Sequence, residues 1–362
     1  MSNLFAAFSP ATKQDWLTKI EKELKGRPFE ELQWQLGELG VIEPFYMSGD
    51  VPHSAPIKMP VDCKIGETTF VENAKVANAQ LLEGLMNGVN APGIVFKRNP
   101  QMKTWEALFN EVQADWITTN FYWENANWKY WSSILEEFQT YNESKGKSLS
   151  EINGAIHFQP KKEDFSTLAN DLKKWESVFP FFKFITIDGQ SNYNGATTVI
   201  TELTKTIQQG IEVMDNLTNG GLDAKTIADN LQFSVSIGTS YFIEIAKLRA
   251  LHLIWANVLK SYKVPVGQVQ IDVTFAPDTQ DENPNTNMIK ATTMAMVAHI
   301  GGASRLTVLP AHQNAFGRRI ARNVQHLLIK ESHFDKINDP SAGSYYIETL
   351  TRKMVEQVWS QL

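Results

Sequence analysis

One cysteine, Cys63, stands in a chain of 362 residues. It rules out an internal disulfide and any cysteine-based zinc site. No apolar run approaches the roughly 20 residues needed to cross a bilayer as a helix, so no membrane span is expected. Basic residues are not in excess: 34 Lys and Arg stand against 40 Asp and Glu, a net charge of −6, with no Lys/Arg cluster. A nucleic-acid binder led by a basic field is therefore disfavoured. The opening residues lack a basic stretch followed by a continuous apolar one, so no secretory signal is read there, and a cytoplasmic location is expected. Disorder is excluded by what is present: 43% hydrophobic and 11% aromatic residues suffice for a large core.

The first 60 residues read as an arm. Ser9-Pro10 looks like a helix start, and Trp16, Leu17, Ile20 and Leu24 form one apolar stripe that Gly26 and Pro28 end. The extended stretch that follows is rich in aromatics, Gly and Pro. It calls for a surface to lie on, either its own domain or a partner subunit.

From there one unit repeats: a short β-branched run, a polar turn, then an amphipathic helix. The strand runs are 93–97, 116–121, 153–158, 182–188, 231–238, 269–275 and 304–310, with a weaker eighth near 335–339. Ile243, Leu248, Leu251, Ile254 and Trp255 show the helical spacing. Eight strands alternating with helices predict an α/β fold of the (β/α)8 barrel type, spanning residues 61–362. A doubly wound sheet is disfavoured, because no Gly-x-Gly-x-x-Gly turn follows the first run. Gly301-Gly302 reads as a helix cap, Cys63 as a small buried residue, and Trp123, Trp128 and Trp131 as core or interface.

In a barrel, chemistry sits at the C-terminal strand ends. The candidate polar residues there are Asn120, His157, Asp188 and Asn192. They make no convincing acid/base set. His157 lacks the second imidazole of a His-x-His, so no metal site is expected. No late strand carries a lysine for Schiff-base chemistry.

The last third is specific. Ala321–Gln325, Glu331-Ser332 and Asp339–Glu348 match an Ala-Arg-Asn-x-Gln helix, a Glu-Ser pair and an Asp-Pro-x-x-Gly-Ser-Tyr-Tyr turn. With residues 237–256, 295–308 and 19–34, these runs resemble the methylmalonyl-CoA mutase family along nearly the whole chain. The resemblance implies a (β/α)8 acyl-CoA barrel working with cobalamin. Catalytic members carry a Ser-Gly-Tyr-His-Met segment whose His lies against the substrate carbonyl. Here that segment reads IDGQSNYNGA (187–196), with Gln190 and Ser191 as vestigial positions. No His occurs between His157 and His252, and no Tyr between Tyr46 and Tyr122, where catalytic members place one. Lys290 stands where those members carry an arginine, and it cannot make a planar two-point contact. HFDK (333–336) lacks the spacing of the cobalt-ligating Asp-x-His-x-x-Gly motif.

The resemblance is therefore to the small chains of heterodimeric members. It implies a structural subunit that binds no cofactor itself and lacks the cobalamin domain, with adenosylcobalamin held by a large catalytic partner. The alternatives are a stand-alone acyl-CoA-binding or mutase-like barrel with a reworked mouth, or a subunit of another acyl-CoA mutase.

Overall fold

The computed structural model describes residues 11–51, 56–123, 127–265 and 267–362. Its centre is a ring of eight parallel strands. They are β1 (Lys64–Gly66 continuing as Thr68–Val71), β2 (Gly93–Phe96), β3 (Thr118–Tyr122), β4 (Asn153–His157), β5 (Phe181–Lys183 continuing as Ile185–Asp188), β6 (Leu231–Ile237), β7 (Ile271–Phe275) and β8 (Arg305–Thr307).

The Thr68–Val71 half of β1 pairs with β2, then β2 with β3, β3 with β4, and β4 with the first half of β5. The second half of β5 pairs with β6, then β6 with β7 and β7 with β8. β8 closes onto Lys64–Gly66. The ladder is interrupted only at Glu67 and Phe184. Backbone bonds bridge both joints: Gly93 N donates to Glu67 O at 2.8 Å and Thr186 N to Phe158 O at 2.8 Å. The (β/α)8 barrel is thus present and closed.

Its numbering differs from the sequence expectation by one. β1 lies upstream of residue 93, the run at 304–310 supplies the eighth strand, and residues 335–339 form a turn, not a strand. Ile337 of that turn is 64% exposed, while Asp339 is buried on an arginine.

β6 shows why the strands read as nearly continuous apolar runs: all seven of its residues are buried. Phe233 faces outward against Trp255, at 4.9 Å between centroids. Gln232, Ser234 and Ser236 alternate with it. The helices are α1 (Lys13–Leu24), α2 (Ala74–Met86), α3 (Met102–Leu108), α4 (Trp128–Ser144), α5 (Phe165–Val178), α6 (Val199–Asn219), α7 (Ala224–Asp229), α8 (Tyr241–Ser261), α9 (Pro284–Ile300), α10 (Ala315–Lys330) and α11 (Tyr345–Trp359). Trp105, Phe109, Phe121, Phe138, Phe179 and Phe182 interlock on one side of the ring. Trp128 and Trp131 are buried core, Trp123 is half-buried on Tyr130, and Cys63 is buried, its thiol pushed up by burial. Gly301 caps α9, and Gly302 takes φ +81°.

The helix α1 is capped by Thr12 and Asp15, each bonding the other's backbone; Ser9 and Pro10 lie outside the described residues. Residues 36–42 lie on the chain's own barrel, with Leu36, Leu39 and Ile42 at 3% exposure or less. Gly37, at φ +44°, touches the barrel so closely that a Cβ would sit 2.1 Å from Thr197 O. Glu38 accepts from Thr201 N at 2.8 Å, and Lys353 donates to Val41 O at 2.7 Å. The stripe of α1 is different: Trp16, Leu17 and Ile20 stay half-exposed, with Trp16 stacked on the exposed Phe45.

Candidate functional site

Inward-facing strand positions carry polar side chains that meet across the barrel axis. Tyr122, at the end of β3, donates from its hydroxyl to Asp272 Oδ2 at 3.0 Å and accepts from Arg305 Nη1 at 2.9 Å. In a ring of eight, β3 and β7 stand opposite each other, so the Tyr122–Asp272 bond spans the lumen. Arg305 Nη1 also reaches Asp272 Oδ1 at 2.6 Å, and its Nε donates to Ala91 O at 2.8 Å. His157 stacks on Tyr122 at 3.7 Å between centroids, with Nε2 3.6 Å from Asp272 Oδ2. The Ser234 hydroxyl faces the same carboxylate at 3.5 Å and accepts from Gln190 Nε2 at 2.5 Å.

Burial acts to raise the Asp272 carboxyl, but Arg305 and His157 outweigh it and hold it below the usual carboxylate range. Burial pushes His157 down to about 4, against the pull of Asp272, so the ring is neutral at pH 7. The cluster therefore balances one cation against one anion, and its hydrogen bonds tie β3, β7 and β8 together.

The expected site residues separate. Asp188 ends β5 and organises the following turn: its Oδ1 accepts from the backbone N–H of Gln190 at 3.0 Å and of Ser191 at 3.3 Å. Ser191 donates its hydroxyl to Asp188 O at 3.1 Å. Asn192 turns away from the mouth and donates to Thr206 Oγ1 and Gln209 Oε1 on α6 at 3.1 and 3.0 Å. Asn120 lies inside β3 and lines a cavity at the N-terminal end of the barrel, not the C-terminal mouth. Of the four mouth candidates only His157 joins the central network, and the vestigial Gln190 reaches it through Ser234. Lys290, on α9, donates to Thr279 O at 3.2 Å and lies 3.6 Å from Asp281, both in the loop that precedes its helix. Among the described residues no group of three or more His, Cys, Asp or Glu could hold a metal ion.

Sequence reasoning passed over Tyr122, Asp272 and Arg305. The signal was present: an Asp and an Arg inside the apolar runs VQIDVTF and SRLTVLP are charges that burial must pair.

A second buried ionic cluster sits behind β6. Lys247, on α8, reaches Glu202 at 2.9 Å, Glu244 at 2.7 Å and Ser236 O at 2.8 Å, beneath the Tyr193 ring. Two carboxylates share one ammonium, and burial pushes Glu202 up to about 7. A carboxyl raised in the folded state gives stability that is full below about 4.5 and lost as pH rises through about 7. Glu202→Gln is thus expected to melt higher than wild type at pH 8, by about 1–2 kcal/mol in stability, with the gap closing at pH 5. Thermal unfolding at both pH values checks this; a variant less stable at pH 8 contradicts it.

The chain matches the family described as methylmalonyl-CoA mutase over residues 100–362. It is 29% identical to the methylmalonyl-CoA mutase small subunit of Porphyromonas gingivalis, over 98% of this chain and 63% of that one. It is 26% identical to the small subunit of Propionibacterium freudenreichii subsp. shermanii, over 99% and 62%. The methylmalonyl-CoA mutase of Cereibacter sphaeroides is 25% identical over 95% and 57%. The chain thus spans about three fifths of the length of these curated relatives. With the family profile covering all but the arm and first strand units, the chain belongs to the methylmalonyl-CoA mutase family.

Proposed function

We propose that this chain is a small, non-catalytic subunit of a cobalamin-dependent methylmalonyl-CoA mutase. A large partner subunit would carry adenosylcobalamin and interconvert methylmalonyl-CoA and succinyl-CoA. The observation that carries this reading is the cross-barrel network: Tyr122, Arg305 and Asp272 fill the axis that an acyl-CoA would need open. A radical rearrangement on cobalamin also needs a hydrogen-bond donor at the acyl carbonyl. Gln190 and Ser191 occupy that place with their side chains bonded inward, to Ser234 and to Asp188 O. These residues do not fit the cofactor's chemistry.

The half-exposed stripe of α1, with Phe45 and Trp34, is the arm's contribution to partner contact in this reading. No described helix is long and apolar enough to cross a membrane. We place the subunit in the cytoplasm on the strength of its single buried thiol.

The test uses the chain alone and with a catalytic large subunit. Alone, it shows no adenosylcobalamin-dependent turnover and no heat of binding with CoA thioesters. With the large subunit it forms a stable complex. Deleting residues 1–32, which spares the packed Leu36–Ile42 segment, weakens that complex at least tenfold while shifting the melting temperature little. Turnover by the chain alone, or CoA-thioester binding inside the barrel, would overturn the reading.

A further inference from the structure

Below the cross-barrel network the lumen opens into a cavity of about 270 Å³ at the N-terminal ends of the strands. Lys64, Lys183 and Arg305 line it, together with the amides Asn153 and Gln232, and Asp272 is the one carboxylate on its wall. Asp272 is already engaged by Arg305 and Tyr122. That leaves two cations in excess.

Neither lysine is compensated by an ion pair among the described residues. Lys64 donates to Thr118 Oγ1 at 2.6 Å, a neutral acceptor, and Lys183 donates to the backbone carbonyl of Asp229. Burial lowers both ammonium groups. Asp62 opposes this for Lys64, and Asp229 and Glu176 for Lys183, without reversing it. Arg305 is 5% exposed, yet its Nη2 has no hydrogen-bond partner. Two half-buried ammonium groups with no carboxylate in ion-pair contact, around one polar cavity, favour an anion there.

We propose that this cavity is a binding site for a small phosphate-type anion. Lys64 and Lys183 would neutralise it from the rim, beneath the ceiling that Arg305 forms. Multiple charge-assisted donors suit a tetrahedral oxyanion better than a single-atom halide. The network of Tyr122, Arg305 and Asp272 closes the cavity above, so the anion enters and leaves from the N-terminal side only. The site is separate from the C-terminal mouth and does not depend on the subunit's catalytic standing. Free phosphate and the phosphate end of a short monoester share the required chemistry.

The experiment is a titration of the whole chain with inorganic phosphate and, separately, methyl phosphate, read by 31P line broadening and by melting temperature at constant ionic strength. Phosphate in the millimolar range is expected to raise the melting temperature, as any ligand of the native state does. Lys64→Met and Lys183→Met should each weaken binding about tenfold. Lys174→Ala, on the outer face of α5, should leave it unchanged. Binding of phosphate but not methyl phosphate identifies the free anion as the occupant; binding of both admits the ester. The proposal is overturned if chloride reproduces the shift, if phosphate gives none, or if both lysine variants bind as wild type does. A variant that fails to fold is replaced by the corresponding Lys→Gln change, read the same way.

Discussion

Arg249→Ala is expected to lower the stability of the fold by about 3–5 kcal/mol, the cost of removing one member of a buried ionic cluster. Arg249 is completely buried in the middle of α8. Its Nε and Nη2 bond the two oxygens of Asp339 at 2.9 Å each, Nη2 also meets Glu348 Oε1 at 2.8 Å, and Nη1 donates to Thr351 at 3.0 Å. Asp339 in turn accepts from Ile57 N at 2.9 Å. One guanidinium thus holds α8, α11, the turn before α11 and the chain leading into β1. Without it, Asp339 stays buried with its charge unmatched. Arg249→Lys should recover little, because one ammonium cannot reproduce a planar fork across two carboxylates. Denaturant unfolding of the three proteins decides the matter, and a loss below about 1 kcal/mol for the alanine variant contradicts it.

Acidification should unfold the protein well before its surface carboxylates are protonated. Burial pushes His157, His252 and His299 each down to about 4. A base depressed in the folded state contributes stability that is present above about 6.5 and lost as pH falls through about 4. Each such histidine is worth up to about 3 kcal/mol at pH 7. Glu202 works the other way, regaining stability as pH falls from about 7. Glu67, also raised by burial, acts as Glu202 does, so three histidines oppose two carboxyls and the net effect is a loss of several kcal/mol between pH 6.5 and 4. The melting temperature measured across this range is expected to fall steeply. His252→Asn, which keeps a donor toward Gly302 O, should flatten the fall. A melting temperature constant down to pH 4.5 rules the account out.

Strand positions were largely readable from the sequence because parallel strands buried on both faces become β-branched runs. β1 escaped for a physical reason. It is split at Glu67, carries Gly66 and two threonines, and has none of the apolar density of β6. The segment at 335–339 reads as a strand only if the run at 304–310 is the seventh; it is the eighth. Its Asp339 answers to Arg249, a partner 90 residues away that no local pattern reveals. The site was harder still. Asn120 and Asn192 carry the right chemistry, but one sits inside β3 facing the opposite opening and the other, past the end of β5, faces α6. Tyr122, Asp272 and Arg305 become a unit only when β3 is known to stand across from β7.

The closing of β8 on β1 also sets an order of events during synthesis. Arg305 must pair beside Lys64, and Asp339 must receive the amide of Ile57, 282 positions earlier in the chain. Until β8 has left the ribosome, the nascent chain can be at most an open sheet with two unpaired edges. Such a sheet templates pairing with other chains, so this chain should rely on holding chaperones until β1 and β8 meet.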